Sequence, residues 1–372
     1  MKIKGNKMFK VCAIMAVYNE EDIVFETVSK LINNEIDVYI INNGCTDGTI
    51  DKINVLVGRG VIKIENMKIE ENGKKVFRLE RILERVEAIT KELNYDWYLH
   101  VDADEIRYAP WLGYSLKDGI ERVNKEGFNL INFKLFNFRT TETYYYNNSF
   151  EESMLYYSDI DAHSDIQIKC WKNNGEINLT NYGGHILSRP NGLLYPIKFI
   201  HKHYPVRGVE HGIKKIGKDR RNIFSKFEKE KGWHKHYDEV NFDNLSGILW
   251  KKSDLKKYNH ENVLLEVHTE ANNKLMLLVE ILASMNMDDV INYTAKLIHS
   301  KYQISQTEAR NKIEIAELIV NKNYHENLPV LNASKVDSEI INKYFDIKRI
   351  YLNAKAMPLH EKSINRIKFN IV

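Results

Sequence analysis

The chain has 372 residues, with 54 basic and 51 acidic side chains, a formal net charge of +3 and 43% hydrophobic residues. That length accommodates one sizeable catalytic domain and a smaller one, and so balanced a charge excludes the strongly basic face of a nucleic-acid binder. Three cysteines, Cys12, Cys45 and Cys170, form no paired framework, so a reduced, cytoplasmic setting is expected.

In chain order, residues 9–17 (FKVCAIMAV) read as a buried strand ending at Tyr18-Asn19-Glu20-Glu21. A helical spacing then runs from Asp22 to Ile32 through Val24, Val28 and Leu31. A second strand, residues 37–41 (DVYII), enters a polar loop, Asn42 to Thr49, with turn chemistry at Asn43-Gly44 and a helix cap at Thr46 or Asp47. A third, residues 61–65 (VIKIE), precedes a long helix over residues 75–93. After it, Tyr98 to Arg107 (YLHVDADEIR) carries an apolar strand straight into Asp102-Ala103-Asp104. On an extended chain residues i and i+2 share a face, so Asp102 and Asp104 are expected to point together at one divalent cation or sugar ring, with Glu105 turned away.

The alternation of strand and helix predicts an α/β fold with a mostly parallel sheet covered by helices. Ligands in such sheets bind beyond the carboxyl ends of the strands. Tyr18-Asn19-Glu20, Asn42-Asn43 and Asp102-Ala103-Asp104 all lie there, so three polar loops are expected to converge on one crevice.

The series AVYNEEDIV, INNGCTDGT and DWYLHVDADE, followed by His203-Tyr204-Pro205-Val206-Arg207, resembles the family 2 glycosyltransferases of the GT-A fold, in the branch with a DADE strand end and a later HYPxR segment. The resemblance covers roughly residues 9–240. It implies a Rossmann-like GT-A domain, residues 1–258, that moves a sugar from a nucleoside diphosphate to a glycan or lipid-linked acceptor with inversion, using Mn²⁺ or Mg²⁺. Carried onto this sequence, Val17, Tyr18, Asn19, Glu20, Asn42 and Asn43 hold the base and ribose. Asp102, Ala103 and Asp104 meet the ribose, metal and diphosphate, with His203 completing the metal site, and Arg81 and Arg207 contacting the donor. The residue types suit the chemistry, since a hard cation bound by oxygen ligands offsets charge developing on a departing diphosphate. The basic segment after residue 197, with Lys198, Lys214, Lys215, Lys218, Arg220 and Arg221 among its members, adds further positive charge.

The chain departs from the family in three places. Asn42 stands where the family carries Asp, Ile82 stands where its Arg-Asn helix motif has Asn after Arg81, and the Glu-Asp pair that marks the catalytic base is missing between Thr140 and His203. Asp165, in SDIDAHSDIQIK, is the first candidate for the base, followed by Glu176, Asp161 and His185. The departures motivate an alternative, a non-catalytic sugar-nucleotide or glycan-binding protein on a degenerate GT-A scaffold. A nucleotidyltransferase would need a glycine-rich, basic phosphate loop after the first strand, which AVYNEE is not.

The basic N-terminus precedes an apolar run of only strand length, so neither a signal peptide nor a membrane span is expected, and any membrane contact is peripheral, at the inner face. From His260 to Leu331 apolar residues recur at helical spacing with no glycine, which predicts a helical C-terminal region over residues 259–372 whose apolar stripe is buried against the catalytic domain or a second subunit. A platform for acceptor polysaccharide or a membrane surface is the alternative there, encouraged by the basic tail from Lys355 to Lys368.

Overall fold

The computed structural model describes residues 8–71, 73–141, 149–158, 166–220, 223–224, 240, 242–245, 247–284, 286–302 and 304–322. Asp161, Asp165, Tyr144 to Tyr146 and the basic tail lie outside the described residues. The chain divides into two compact units, Met1–His268 and Thr269–Val372. The boundary falls past residue 258, inside a helix.

The first unit is an α/β fold whose central sheet is parallel. Strands β1 (Val11–Val17), β2 (Asp37–Asn42) and β3 (Val61–Asn66) pair side by side, and β6 (Trp97–Asp102) joins the other edge of β1, giving the order β3-β2-β1-β6. Their near-continuous Val/Ile/Leu runs fit strands buried on both faces. Cys12, Ile14, Tyr39, Ile41 and Tyr98 share a core with Leu83, Val86 and Ile89 of helix α3 (Leu79–Glu92), while the intervening Ala13, Met15, Val38 and Ile40 are buried on the opposite side. Each fully buried Leu, Val or Ile on α3 contributes roughly 1.5–3 kcal/mol, enough to fix the helix across the strands. Helix α1 (Val24–Asn33) buries Val24, Val28 and Leu31, at the spacing the sequence predicts. Helix α2 (Thr49–Asn54) is short and has Gly48 at its N-cap with no side-chain cap, so neither Thr46 nor Asp47 takes the cap position, although Asp47 accepts from the Thr49 N–H at 3.0 Å.

The third helix starts later than its apolar spacing suggests. Glu70–Glu71 (β4) and Lys74–Lys75 (β5) form a small antiparallel hairpin instead, turned at Gly73 with φ 71°. Beyond β6 the sheet continues in antiparallel fashion through β10 (Gln167–Lys172), β8 (Leu130–Phe138), β9 (Tyr156–Ser158) and β12 (Lys256–Lys257). Strand β11 (Phe199–His203) runs parallel to β8 and antiparallel to β7 (Glu105–Tyr108). Helix α4 (Leu116–Lys125) opens with a capping box between Ser115 and Asp118, and α5 (Phe150–Ser153) is a single turn. Helix α6 (Val209–Gly212) runs into a π-helical stretch, Ile213–Arg220.

Helix α7 (His260–Ser284) spans the unit boundary. In the second unit, α8 (Met287–Tyr302) and α9 (Gln306–Lys322) bury Ala295 and Ile298 with Ala309 and Ile313. Among the described residues no helix is long and apolar enough to cross a membrane.

Candidate functional site

The register of the parallel strands sets the site. Val17 pairs with Asn42 and Ala16 with Asp102, so the loops after β1, β2 and β6 leave the sheet at one height. The first two are joined side chain to backbone. Asn19 adopts a left-handed backbone (φ 52°), a conformation asparagine tolerates better than most residues. Its carboxamide donates to Thr46 Oγ1 (3.2 Å) and accepts from the Thr46 N–H (2.9 Å). Thr49 Oγ1 accepts from the Glu20 N–H at 2.8 Å, and Glu21 Oε2 from the Gly48 N–H at 3.0 Å. Asn42 accepts from the Cys45 N–H of its own loop (2.9 Å) and donates to Asn66 Oδ1 at the end of β3 (2.8 Å). The Asn43 side chain is buried, and its carboxamide has no hydrogen-bond partner among the described residues.

The third loop differs from the extended chain expected of it. Residues 102–105 form a tight turn between β6 and β7, because Thr27 Oγ1 donates to the Ala103 carbonyl (2.7 Å) and the Tyr204 N–H to the Asp104 carbonyl (2.9 Å). The turn cancels the two-residue periodicity, and the carboxylates go separate ways. Asp102 and Glu105 share one cation, the buried Lys169 ammonium, at 3.2 and 2.8 Å, and Glu105 reaches back to accept from the Asp102 N–H (3.1 Å). Asp104 pairs with Lys215 at 2.8 Å instead. Asp102 keeps 46% of its side chain exposed while Asp104 keeps 9%, so only Asp102 faces solvent freely.

Around Asp104 lies a compact ion network. Arg207, fully buried, donates to Glu20 Oε2 (2.5 Å), to both oxygens of Asp22 (2.7 and 2.8 Å) and to the Tyr204 carbonyl (2.7 Å), and stands 3.8 Å from Asp104. Lys215 bridges Glu20 and Asp104, each at 2.8 Å. Arg220 reaches Glu20 Oε1 and the Tyr18 carbonyl, both at 3.2 Å, with its guanidinium 5.2 Å from the centre of the Tyr18 ring. Burial alone would raise the Asp104 carboxyl, but Lys215, His203 and Arg207 hold it well below the usual range. Asp22 is likewise held down, burial being outweighed by Arg207. His211 is kept neutral first by burial and then by Arg207 and Lys215.

A second cluster lies behind Asp102. Glu105 contacts Lys169, Arg107 (2.6 Å) and His201 (3.0 Å), all buried, and its carboxyl is held low, the effect of burial being outweighed by these neighbours. Burial pushes His201 down to about 3 and His100 down to about 4, so both imidazoles are neutral in the fold.

The other expected residues are placed as follows. His203 offers Nδ1 to Asn137 (2.5 Å) and turns Nε2 toward Asp104 at 3.6 Å. Arg81 is exposed on α3 and paired with Glu84 at 3.0 Å. Arg207, expected to contact the donor, is fully buried and enclosed by Glu20 and Asp22. Glu176 is exposed and follows β10 where Lys172 pairs with Trp97, at the end of β6 away from Asp102. His185 is also exposed, with Nδ1 3.3 Å from Gln167. Sequence reading missed the bridging role of Lys169 and of Asp22. The signal for Lys169 is a lysine flanked by Ile168 and Cys170 in a strand that also carries Trp171, where burial of the lysine needs an acid.

A divalent cation does not fit the expected ligand set. Asp104 and His203 come within 3.6 Å but Asp102 does not join them, and among the described residues the group of three that brings ligand atoms together is Glu20, Asp22 and His211, within 4.8 Å of one another. Arg207 already fills that group, bonded to both acids and with Nη2 2.8 Å from His211 Nε2.

No protein-family model matches the sequence, and no curated protein matches it. Among solved structures the chain is similar to Staphylococcus aureus TarS, at 10% identity and a TM-score of 0.35, over 93% of this chain and 54% of that one. It is similar as well to TarS 1–349 in complex with UDP (10% identity, TM-score 0.33, 93% and 92% covered) and to UDP-glucose pyrophosphorylase complexed with UDP-glucose (9%, 0.23, 49% and 73%). The chain thus spans about half the length of the full TarS chain. Likeness at this level carries no functional argument.

Proposed function

We propose that this chain is a GT-A glycosyltransferase that binds a nucleoside-diphosphate sugar in the crevice beyond β1, β2 and β6 and passes the sugar, with inversion, to a hydroxyl of a glycan or lipid-linked acceptor. The observation that carries this reading is the convergence of three polar loops in register at the carboxyl edge of a parallel sheet, with Tyr18, Asn19, Asn42 and Asp102 on them. That edge is where α/β sheets take nucleotides.

In this reading the acceptor oxygen attacks the anomeric carbon as the bond to phosphate breaks, and the nucleoside diphosphate leaves with the electron pair. The acceptor's proton goes to a carboxylate, for which Asp165 is retained as the proposed base. Lys215 and Arg220 lie at the crevice to offset charge on the leaving group, and Arg207 holds the acids that orient them. Asp102, the exposed carboxylate of the turn, takes sugar or ribose hydroxyls in this reading.

A thermal-shift panel of UDP, GDP, CDP and dTDP sugars tests the reading on wild type and on Asp102→Ala. Ligand at 100 times its dissociation constant adds about 2.7 kcal/mol, a shift of several degrees. One base-selective shift, weakened in the variant, supports it, and no shift with any nucleotide refutes it. The non-catalytic alternative, motivated by the enclosed Asp104, predicts the same shift with no hydrolysis or transfer of the sugar.

A further inference from the structure

Three carboxylates and three cations meet at the centre of the crevice. Glu20, Asp22 and Asp104 face Arg207, Lys215 and Arg220, and the charges balance within the group. Both oxygens of Glu20 and of Asp22 accept from these cations, and Asp104 gives one oxygen to Lys215 and turns the other toward His203. A divalent ion would have to take the same oxygens and sit beside fixed positive charges in a buried, weakly screened place. Yet the Lys215 ammonium is not saturated among the described residues. It has three N–H groups, donates one to Asp104 and stands 2.8 Å from Glu20 Oε1.

Lys215 also lines a cavity of about 220 Å³ together with Asn19 of the first loop. Lys214 is the other cation there, and five acids, Glu21, Asp22, Asp47, Glu210 and Asp219, line it as well, so only its lysine side can take an anionic group.

We infer that Lys215, set by the π-helical stretch between Glu20 and Asp104, stands in the place of a divalent cation, so that this crevice binds the diphosphate of its nucleotide without metal. The inference rests on the nucleotide-sugar reading of the same site. Its chemistry is that of a bridging ion: one positive centre shared between strand-end carboxylates and the phosphate oxygens, but delivered by the chain. Removing the ammonium leaves Asp104 Oδ2 and, still beside Arg220, Glu20 Oε1, each 2.8 Å from where it stood, as oxygen ligands for a hard cation.

The test is a Mn²⁺ titration of the full chain followed by electron paramagnetic resonance, together with UDP, GDP, CDP and dTDP binding in EDTA and in Mn²⁺, on wild type, Lys215→Met and Lys215→Arg. Wild type is expected to hold no tightly bound Mn²⁺ and to bind its nucleotide equally well in EDTA. Lys215→Met is expected to lose about tenfold or more in EDTA, the worth of a charge-assisted hydrogen bond, and to regain affinity with Mn²⁺. Lys215→Arg keeps the metal-free behaviour. Nucleotide binding by wild type only with Mn²⁺, or tight Mn²⁺ in wild type lost in Asp104→Asn, overturns the inference while leaving the nucleotide reading intact. If no nucleotide binds to any variant, the nucleotide reading fails, and Mn²⁺ alone decides the rest: a site gained in Lys215→Met supports the substitution of lysine for metal, and no gain overturns it. Should Lys215→Met not fold, the wild-type arms decide.

Discussion

Arg207→Met keeps an unbranched side chain in place and deletes the guanidinium on which Glu20 and Asp22 depend. The wild-type residue is fully buried and makes three charge-assisted bonds to those two acids at 2.5 to 2.8 Å, with no water-exposed edge to absorb the loss. Breaking a buried pair by removing one partner costs about 3–5 kcal/mol, because the other charge stays behind unpaired. In a unit of this size each kcal/mol moves the melting temperature by about 2–4 °C, so a fall of about 6–20 °C is expected.

Circular-dichroism melts of wild type, Arg207→Met and Arg207→Lys at two pH values carry the test. Asp22 in wild type is held below its ordinary value, so its stabilisation is complete above the unfolded-state pKa and is lost only as pH falls through the lower folded value. Between about pH 7 and about pH 5 the wild-type contribution is therefore flat. In Arg207→Met burial is no longer outweighed, the carboxyl moves up, and proton uptake recovers part of the loss as pH falls. The gap between wild type and mutant should narrow toward pH 5, with Arg207→Lys intermediate because it keeps the charge but not the fork. A loss under about 1 kcal/mol, or a gap that ignores pH, would mean that Glu20 and Asp22 are solvated, and the buried network would be refuted.

His100 is neutral and buried, with its pKa pushed down to about 4, so the unfolded chain takes up its proton first and stability falls as pH drops from about 6.5 toward 4. Urea midpoints against pH should show that slope reduced by roughly 1.4 kcal/mol per unit in His100→Gln, and an unchanged slope counts against the burial. Asn19→Ala removes both bonds to Thr46 that join the first two loops, and nucleotide affinity measured by calorimetry should drop about tenfold; equal affinity would separate that loop pair from the binding site. Ser115→Ala takes away the capping box of α4 and should cost about 1 kcal/mol in thermal melts with nucleotide binding unchanged, a larger effect pointing to a role for Ser115 beyond the cap.

The central sheet was legible in the chain. Residues 9–17 and 37–41 are near-continuous apolar runs, each broken by a polar loop, and Val11–Val17 and Asp37–Asn42 are parallel neighbours. The carboxyl-edge crevice followed from the same pattern, since alternation of strand and helix dictates which loops share an edge. Helix α3 was legible as a helix but not at its start, because Lys74–Lys75 pairs with Glu70–Glu71 in a hairpin instead of continuing the helix.

What the sequence determined by itself is the set of groups at the strand ends, because local periodicity decides where an apolar strand must stop and a polar loop begin. Which charges those groups meet was decided by the tertiary structure. Asp102 and Asp104 look like one ligand pair in an extended chain, and a turn fixed by Thr27 and Tyr204, far away in sequence, sends one to Lys169 and the other to Lys215. Arg207 and Asp22 lie 185 positions apart and share two hydrogen bonds. Coulomb interaction depends on separation in space, and chain closure over such distances leaves no trace in local pattern.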